Sequence, residues 1–179
     1  MEAFEMFVSF FESPLSILTL LVSPRLYALI IGIDIYKSTN IRPLRGAVAD
    51  ARAVAAHLQD KLSVPRDQIT MLENKDATQE AILAELRRFK IDPRIQPEDP
   101  ILIFYAGHGS VAATPEGWEA GGPHSNIQLT LPYDVYCQSG DKVIAPISDR
   151  TLGALLEAIS LEKGNNIVGY HEILSYIPV

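Results

Sequence analysis

Cysteine is nearly absent from this 179-residue chain, and the single thiol, Cys137, excludes an internal disulfide framework. This composition is typical of a reducing compartment, so we predict a cytoplasmic protein. Basic residues are also scarce, because 15 Lys and Arg stand against 22 Asp and Glu, for a net charge of -7. Nucleic-acid binding needs clustered cations, so we expect no nucleic-acid partner.

The first 25 residues lack the features of a membrane span and of a secretory signal. They are strongly apolar, but Glu5, Glu12 and Pro14 interrupt the run before it reaches the roughly 20 residues that a span needs. No Lys or Arg precedes the apolar residues, as a signal peptide would require. We therefore predict that 1–25 is a leader outside the core fold that is poorly packed or covered by a partner, with a helix docked on the domain as the first alternative. A membrane anchor is the least favoured alternative.

The rest of the chain alternates between strand and helix patterns. Hydrophobic residues make up 47% of the sequence, and the length suits a single globular domain. Apolar runs predict strands, whereas apolar residues at helical spacing predict helices. The predicted strands are 27–35, 69–72, 101–106 and 127–131, and the predicted helices are 46–62, 77–89 and 151–161. This order predicts an α/β fold with a mostly parallel sheet and helices on both faces.

A histidine between two glycines follows the third predicted strand, in the sequence FYAGHG at 104–109. The glycines would let the chain turn sharply into a loop over 106–126 and would leave room for another molecule. Imidazole is the side chain best suited to proton transfer near neutral pH. Because ligands bind beyond the carboxyl ends of parallel strands, we predict that His108 is a general base, with a structural histidine as the alternative. The remaining histidines, predicted to be solvated or structural, are His57, His124 and His171.

Cysteine is the natural nucleophile to pair with a histidine base, and Cys137 is the one candidate. It lies in the polar segment 134–140, which contains no Lys or Arg. An activated thiol needs an electropositive environment. We therefore predict that Cys137 is inert.

Four segments resemble, in order and spacing, the caspase-like cysteine peptidases, the clan of caspases and metacaspases. These segments are ALIIGID at 28–34, LRGAVADA at 44–51, FYAGHG at 104–109 and ISD at 147–149. The resemblance is closest to the metacaspase-like branch. It implies the three-layer sandwich of the caspase-like fold and a Cys–His dyad that cleaves peptide bonds. The dyad histidine would be His108, and Gly109 would lend its backbone N–H to the oxyanion hole.

The resemblance also implies substrate-binding residues near the start of the first helix. In metacaspases an acid at the position of Asp50 helps to bind an Arg or Lys side chain of the substrate. In caspases an arginine near the position of Arg45 binds aspartate instead. The Leu-x-Gly-x-x-x-Asp-Ala pattern at 44–51 favours Asp50, and therefore a peptide or protein substrate with Arg or Lys. The alternative is that Asp50 only complements the N-terminus of the helix, where negative charge is favourable.

Calcium is the one cofactor that the resemblance suggests. Asp134 and Asp149 match acids of the metacaspase calcium site, but Arg150 stands where a further acid is expected. Oxygen ligands are what this ion needs. We therefore expect no cofactor, with calcium at Asp134 and Asp149 as the alternative.

The segment that carries the family's nucleophile has no counterpart in the sequence. It resembles Asp-x-Cys-His-Ser-Gly and follows a fourth strand, which is expected here to begin near 165–167, yet 173–176 contain no cysteine. We therefore expect a caspase-like domain at 26–167, incomplete at its C-terminal side, and a divergent tail at 168–179. The third strand would then lack a neighbour and leave an open edge.

Three functions follow from these patterns. The favoured one is a cysteine endopeptidase by ancestry that is inactive in this form because its nucleophile is missing. The first alternative is a non-catalytic pseudo-peptidase that pairs with an intact caspase-like homologue through its open sheet edge. A nucleotide-binding or phosphate-binding domain is disfavoured, because no glycine-rich phosphate loop follows the first strand.

Overall fold

A computed structural model describes residues 25–114 and 126–176, which form one large sheet, a small hairpin and three helices. The strands of the large sheet are β1 (Tyr27–Gly32), β2 (Ile69–Glu73), β3 (Ile101–Ala113), β4 (Asn126–Thr130), β7 (Ile147–Ser148) and β8 (Ile167–Tyr176). The hairpin consists of β5 (Gln138–Ser139) and β6 (Lys142–Val143). The helices are α1 (Ala47–Asp60), α2 (Gln79–Ile91) and α3 (Asp149–Lys163). Residues 1–24 of the predicted leader, and His124, lie outside the described residues.

The large sheet is mostly parallel, as the sequence predicts. Its order is β2-β1-β3-β4-β7, and β8 also pairs with β3. β1 runs parallel to β2 and β3, and β8 runs parallel to β3, whereas β4 runs antiparallel to β3 and β7.

Alternating residues of β1 and β3 build two hydrophobic clusters on opposite faces of the sheet. One cluster joins Ala28, Ile30, Leu102, Phe104 and Ala106 to Ala47, Ala51, Val54 and Leu58 of α1. The other joins Tyr27, Leu29, Ile31, Ile103 and Tyr105 to Ile82, Leu86 and Phe89 of α2 and to Ile159 of α3. Both faces of these strands are covered, which is why their sequences are continuously apolar. The predicted α/β sandwich with helices on both faces is confirmed.

The third strand is longer than predicted, and this changes the setting of His108. β3 does not end at 106 but continues to Ala113, because Gly109 to Ala113 pair with β4. His108 therefore lies within a strand and not in a loop. The expected sharp turn at the glycines is also wrong, because the positive-φ glycines among the described residues are Gly140 and Gly164.

The expectation that β3 lacks a neighbour on one side is wrong as well. β8 begins at Ile167, where the fourth strand was expected, and pairs with β3 from Ile101 to Gly109. It thus crosses the predicted boundary at 167 between domain and tail. The cause is local sequence, because 167–176 is rich in the branched and aromatic residues that favour strands.

Candidate active site

His108 is buried in the middle of β3, with 2% of its surface exposed. Its Nε2 lies 2.7 Å from the backbone oxygen of Arg42. A carbonyl oxygen can only accept a hydrogen bond, so Nε2 carries the hydrogen and Nδ1 is the basic nitrogen of the neutral ring. The contact with Arg42 therefore selects the tautomer that takes up a proton on Nδ1.

The His108 side chain belongs to the α1 face of the sheet. Leu102, Phe104 and Ala106 pack in the α1-side cluster, and the alternation of a strand places His108 on the same side. The hydrogen bond to Arg42 agrees with this, because Arg42 lies in the segment that leads into α1.

That segment, 33–46, is fixed at its start by Asp34. The Asp34 carboxylate accepts hydrogen bonds from the backbone N–H groups of Ala47 (2.9 Å) and Val48 (3.3 Å) at the beginning of α1. Negative charge is favourable there, because the N–H groups of the first helical turn have no partner within the helix. The Asn74 side chain in turn accepts from the Asp34 backbone N–H at 2.9 Å. These contacts hold the segment that presents the Arg42 carbonyl to His108.

Two buried tyrosine hydroxyls hold the backbone of His108. The His108 N–H donates to the Tyr36 hydroxyl at 2.8 Å. The Tyr105 hydroxyl lies 2.8 Å from the His108 carbonyl oxygen, to which it donates, and 2.9 Å from that of Leu131. Burial raises the pKa of Tyr36 to about 12 and the pKa of Tyr105 well above its usual value. Both hydroxyls therefore keep their protons at neutral pH.

Gly107 is required by the close approach of these hydroxyls. A Cβ atom at position 107 would lie 2.5 Å from the Tyr105 hydroxyl oxygen and 3.0 Å from that of Tyr36. The first of the two glycines beside His108 thus makes room for side chains of the same protein.

Gly109, the predicted oxyanion-hole residue, lies where three strands meet. It pairs with Thr130 of β4 and is in register with Tyr176 of β8. It is adjacent to His108 in β3, and its role in stabilising an oxyanion stays a prediction.

Asp50 and Arg45 lie on the His108 side of the sheet, where α1 begins. Arg45 is exposed just before the helix, three residues after Arg42. Asp50 is half-buried in the first turn of α1, and a Cβ at Gly46 would lie 3.6 Å from its carboxylate. Arg45 therefore belongs to the segment 33–46 that contacts His108, and Asp50 lies in the helix that follows it. The binding roles of both residues stay predictions.

Asp134 and Asp149 are held by two different elements. Asp134 accepts from the backbone N–H of Gln79 at the start of α2, at 2.9 Å. Asp149, the first residue of α3, accepts from the N–H of Gln128 in β4, at 3.2 Å. Among 25–114 and 126–176, no three His, Cys, Asp or Glu side chains come together as metal ligands would. Calcium binding stays a prediction.

Cys137 lies with the α2 layer of the protein. Its backbone is fixed by Asp134 and Ile144, through hydrogen bonds of 3.1 Å and 3.0 Å. Val135 packs in the α2-side cluster, and the Asp134 carboxylate accepts from the backbone N–H of Gln79 at the start of α2. The structure therefore places the chain around Cys137 on the α2 side of the sheet, the side to which Tyr36, a contact of the His108 ring, also belongs.

Sequence reasoning missed the two tyrosines that hold His108. Tyr36 follows a buried strand, and Tyr105 lies inside the FYAGHG segment, but neither was assigned a role. An aromatic residue with a polar tip in a fully apolar strand was an available signal, because a buried tyrosine hydroxyl usually finds a hydrogen-bond partner.

Comparison with known proteins agrees with this architecture. The sequence model of the caspase domain matches residues 25–157, which is most of the chain. The chain therefore belongs to the caspase domain family, a family of peptidases. No curated protein sequence matches the chain.

A solved structure shows the same fold. The chain is similar to protein GSU0716 from Geobacter sulfurreducens, with a TM-score of 0.60 and 18% sequence identity. The match covers 85% of this chain and 50% of the bacterial protein, so the chain spans about half of that protein's length. At this identity the likeness concerns the fold alone. In the described part of the chain, no helix has the length and apolar character needed to cross a membrane.

Proposed function

We propose that this chain supplies the histidine base of a cysteine peptidase site that hydrolyses peptide bonds. The observation that carries the proposal is the hydrogen bond from Nε2 of His108 to the Arg42 carbonyl. It leaves Nδ1 as the nitrogen that accepts a proton. The backbone N–H and the carbonyl oxygen of His108 are both held by hydrogen bonds to tyrosine hydroxyls. Membership of the caspase domain family supports the reaction class.

The chemistry follows from that tautomer. Nδ1 takes the proton of a cysteine thiol, and the thiolate attacks the carbonyl carbon of the peptide bond. The imidazolium returns the proton to the leaving amine, and water then hydrolyses the thioester. The Gly109 N–H would donate to the oxyanion formed in each attack.

Cys137 does not fit the role of the nucleophile in this proposal. The segment 134–140 around it contains no Lys or Arg that would stabilise a thiolate. The thiol would therefore come from outside these 179 residues. By themselves these residues bind peptides but do not cleave them. The resemblance to the metacaspase-like branch suggests a substrate with Arg or Lys.

The first prediction concerns hydrolysis. Purified protein is expected to leave fluorogenic peptides with Arg or Lys before the scissile bond uncleaved, and Cys137→Ala is expected to behave as the parent does. An intact caspase-like protein serves as the positive control. Hydrolysis by the parent that is lost in both Cys137→Ala and His108→Ala would contradict the proposal, because Cys137 would then be the nucleophile.

The second prediction concerns substrate selection by Asp50. Asp50→Asn is expected to weaken binding of an uncleavable Arg peptide by about tenfold, because a carboxylate that pairs with a guanidinium contributes on the order of 1.4 kcal/mol. Binding is measured by NMR titration at low salt. Asp60→Asn is the matched control, because it removes the same charge from the exposed far end of α1.

Two outcomes would contradict this choice of substrate. Equal losses in Asp50→Asn and Asp60→Asn would show only a long-range charge effect. If an Asp peptide binds more tightly than the Arg peptide, and Arg45→Gln weakens that binding, the site belongs to Arg45 and takes an acidic substrate.

The second candidate function is a non-catalytic interaction module. The observation that favours it is the outer edge of β8, because in the described residues this ten-residue strand pairs with β3 alone. An edge of this kind accepts a strand from a partner, here an intact caspase-like homologue. Stable co-elution with such a homologue, together with no binding of either peptide, would favour the module.

A further inference from the structure

We propose that Tyr36 is a positioning residue for His108, which it holds in the geometry and tautomer that a base requires. The inference rests on the proposed function, in which His108 is that base. Its physical basis is a hydrogen bond and a ring contact between residues 72 positions apart in the chain.

The sheet does not extend β1 far enough to pair with His108. β1 ends at Gly32, whose register partner in β3 is Ala106, so His108 lies two residues beyond the last β1 pair. A buried backbone N–H without an acceptor costs about 1–3 kcal/mol. The Tyr36 hydroxyl, 2.8 Å away, accepts from that N–H in place of a carbonyl of β1.

Tyr36 also contacts the imidazole directly. The two ring centroids lie 5.2 Å apart, with an angle of 44° between the ring planes. Tyr36 is itself buried and belongs to the α2-side cluster. The next residue, Lys37, donates its backbone N–H to the backbone carbonyl oxygen of Tyr133 at 2.8 Å. Tyr36 is thus a fixed support and not a mobile side chain.

These contacts leave His108 little freedom. Its N–H is held by Tyr36, its carbonyl by the Tyr105 hydroxyl and the Leu131 N–H, and its Nε2 by Arg42. Without the Tyr36 hydroxyl, the peptide before His108 has a buried donor with no partner and is expected to move. The bond from Nε2 to Arg42 then lengthens, and with it the preference for the Nε2–H tautomer decreases.

The test uses the 179-residue chain with 15N-labelled histidine and compares Tyr36→Phe with Tyr136→Phe. Tyr136 is the matched control because it is 39% exposed and lies in the segment 134–144, on the α2 side. In the parent and the control, the His108 ring nitrogens are expected to report the Nε2–H tautomer. In Tyr36→Phe both tautomers are expected, and exchange of the His108 amide with solvent is expected to be at least about tenfold faster.

A purely structural role gives a different result. If Tyr36 only fills space, Tyr36→Phe lowers the free energy of unfolding while the tautomer and the amide exchange of His108 stay as in the parent. That result would overturn the inference.

A second variant keeps the inference testable if Tyr36→Phe does not fold. 3-Fluorotyrosine at position 36 has nearly the same size, but its hydroxyl oxygen is a weaker acceptor. The His108 amide proton resonance is expected to move upfield relative to the protein with 3-fluorotyrosine at position 136. An unchanged resonance would overturn the inference.

These readouts need no hydrolysis, so they separate the two proposals. A shifted tautomer in Tyr36→Phe, together with hydrolysis that depends on Cys137, leaves the inference standing and overturns the proposed source of the thiol. An unchanged tautomer, together with binding of the Arg peptide through Asp50, supports the proposed function and overturns the role of Tyr36.

Discussion

Replacement of Gly107 by alanine is expected to lower the free energy of unfolding by about 3 kcal/mol, near the upper end of overpacking effects. The new methyl group would lie 2.5 Å from the Tyr105 hydroxyl oxygen and 2.8 Å from the ring carbon that bears it. Tyr105 is 1% exposed, and its hydroxyl is held by the carbonyls of His108 and Leu131. It therefore cannot move aside without losing buried hydrogen bonds.

Urea unfolding followed by circular dichroism measures this loss, and Gly153→Ala is the matched control. A Cβ at Gly153 of α3 meets no atom within 4 Å, and alanine favours a helix over glycine by about 1 kcal/mol. Gly153→Ala is therefore expected to stabilise the protein slightly. A Gly107→Ala protein within about 0.5 kcal/mol of the parent would show that the tyrosine pair is not rigid.

Loss of the Asp92 charge is expected to cost about 1–2 kcal/mol at neutral pH, because this carboxylate joins two arginines at the end of α2. Asp92 is 6% exposed and accepts from Arg88 at 2.7 Å and from the Arg94 side chain at 2.8 Å. The hydrogen bonds from the Arg94 guanidinium lower the pKa of the Asp92 carboxyl from 3.8 to about 2, although burial acts in the opposite direction. Because both guanidinium groups are partly exposed, solvent screening reduces the contribution of each pair.

The sign of the pH dependence follows from that lowered pKa. The unfolded chain takes up the Asp92 proton first, so the stabilisation is fully present above about pH 5. It decreases as the pH falls from there towards 2, where the folded protein is protonated as well. The difference in unfolding free energy between the parent and Asp92→Asn is therefore expected to decrease over this range.

Asp67→Asn is the matched control for Asp92→Asn. Asp67 also pairs with Arg94, but at 3.8 Å, and its side chain is 76% exposed. Its loss is expected to change the unfolding free energy by less than about 0.5 kcal/mol at any pH. Equal effects of the two substitutions would mean that the burial of Asp92 adds nothing to its contribution to the unfolding free energy.

Much of the fold could be predicted because it depends on local patterns. The apolar run of β1 predicts a strand buried on both faces, and it packs against both helix layers. α1 and α2 lie within two residues of their predicted bounds, because their buried residues repeat at helical spacing. The same local patterns did not predict that β3 continues past 106, since its last residues are held by a strand later in the chain.

The candidate site could be predicted in part for the same reason. His108 stands out because a histidine between glycines at the end of an apolar run is unusual. Its partners could not be predicted, because Arg42 contacts it across 66 residues and through a backbone oxygen that any amino acid would provide.

The sequence by itself determined the α/β class, the order of elements and the identity of the histidine, because hydrophobic periodicity and residue chemistry are local properties. Only the tertiary structure decided that His108 lies within a strand, that Arg42 selects its tautomer and that Gly107 makes room for two tyrosine hydroxyls. It also decided that the chain around Cys137 packs with the α2 layer. Each of these depends on contacts between segments far apart in the chain, which form only when the sheet and its helices pack together.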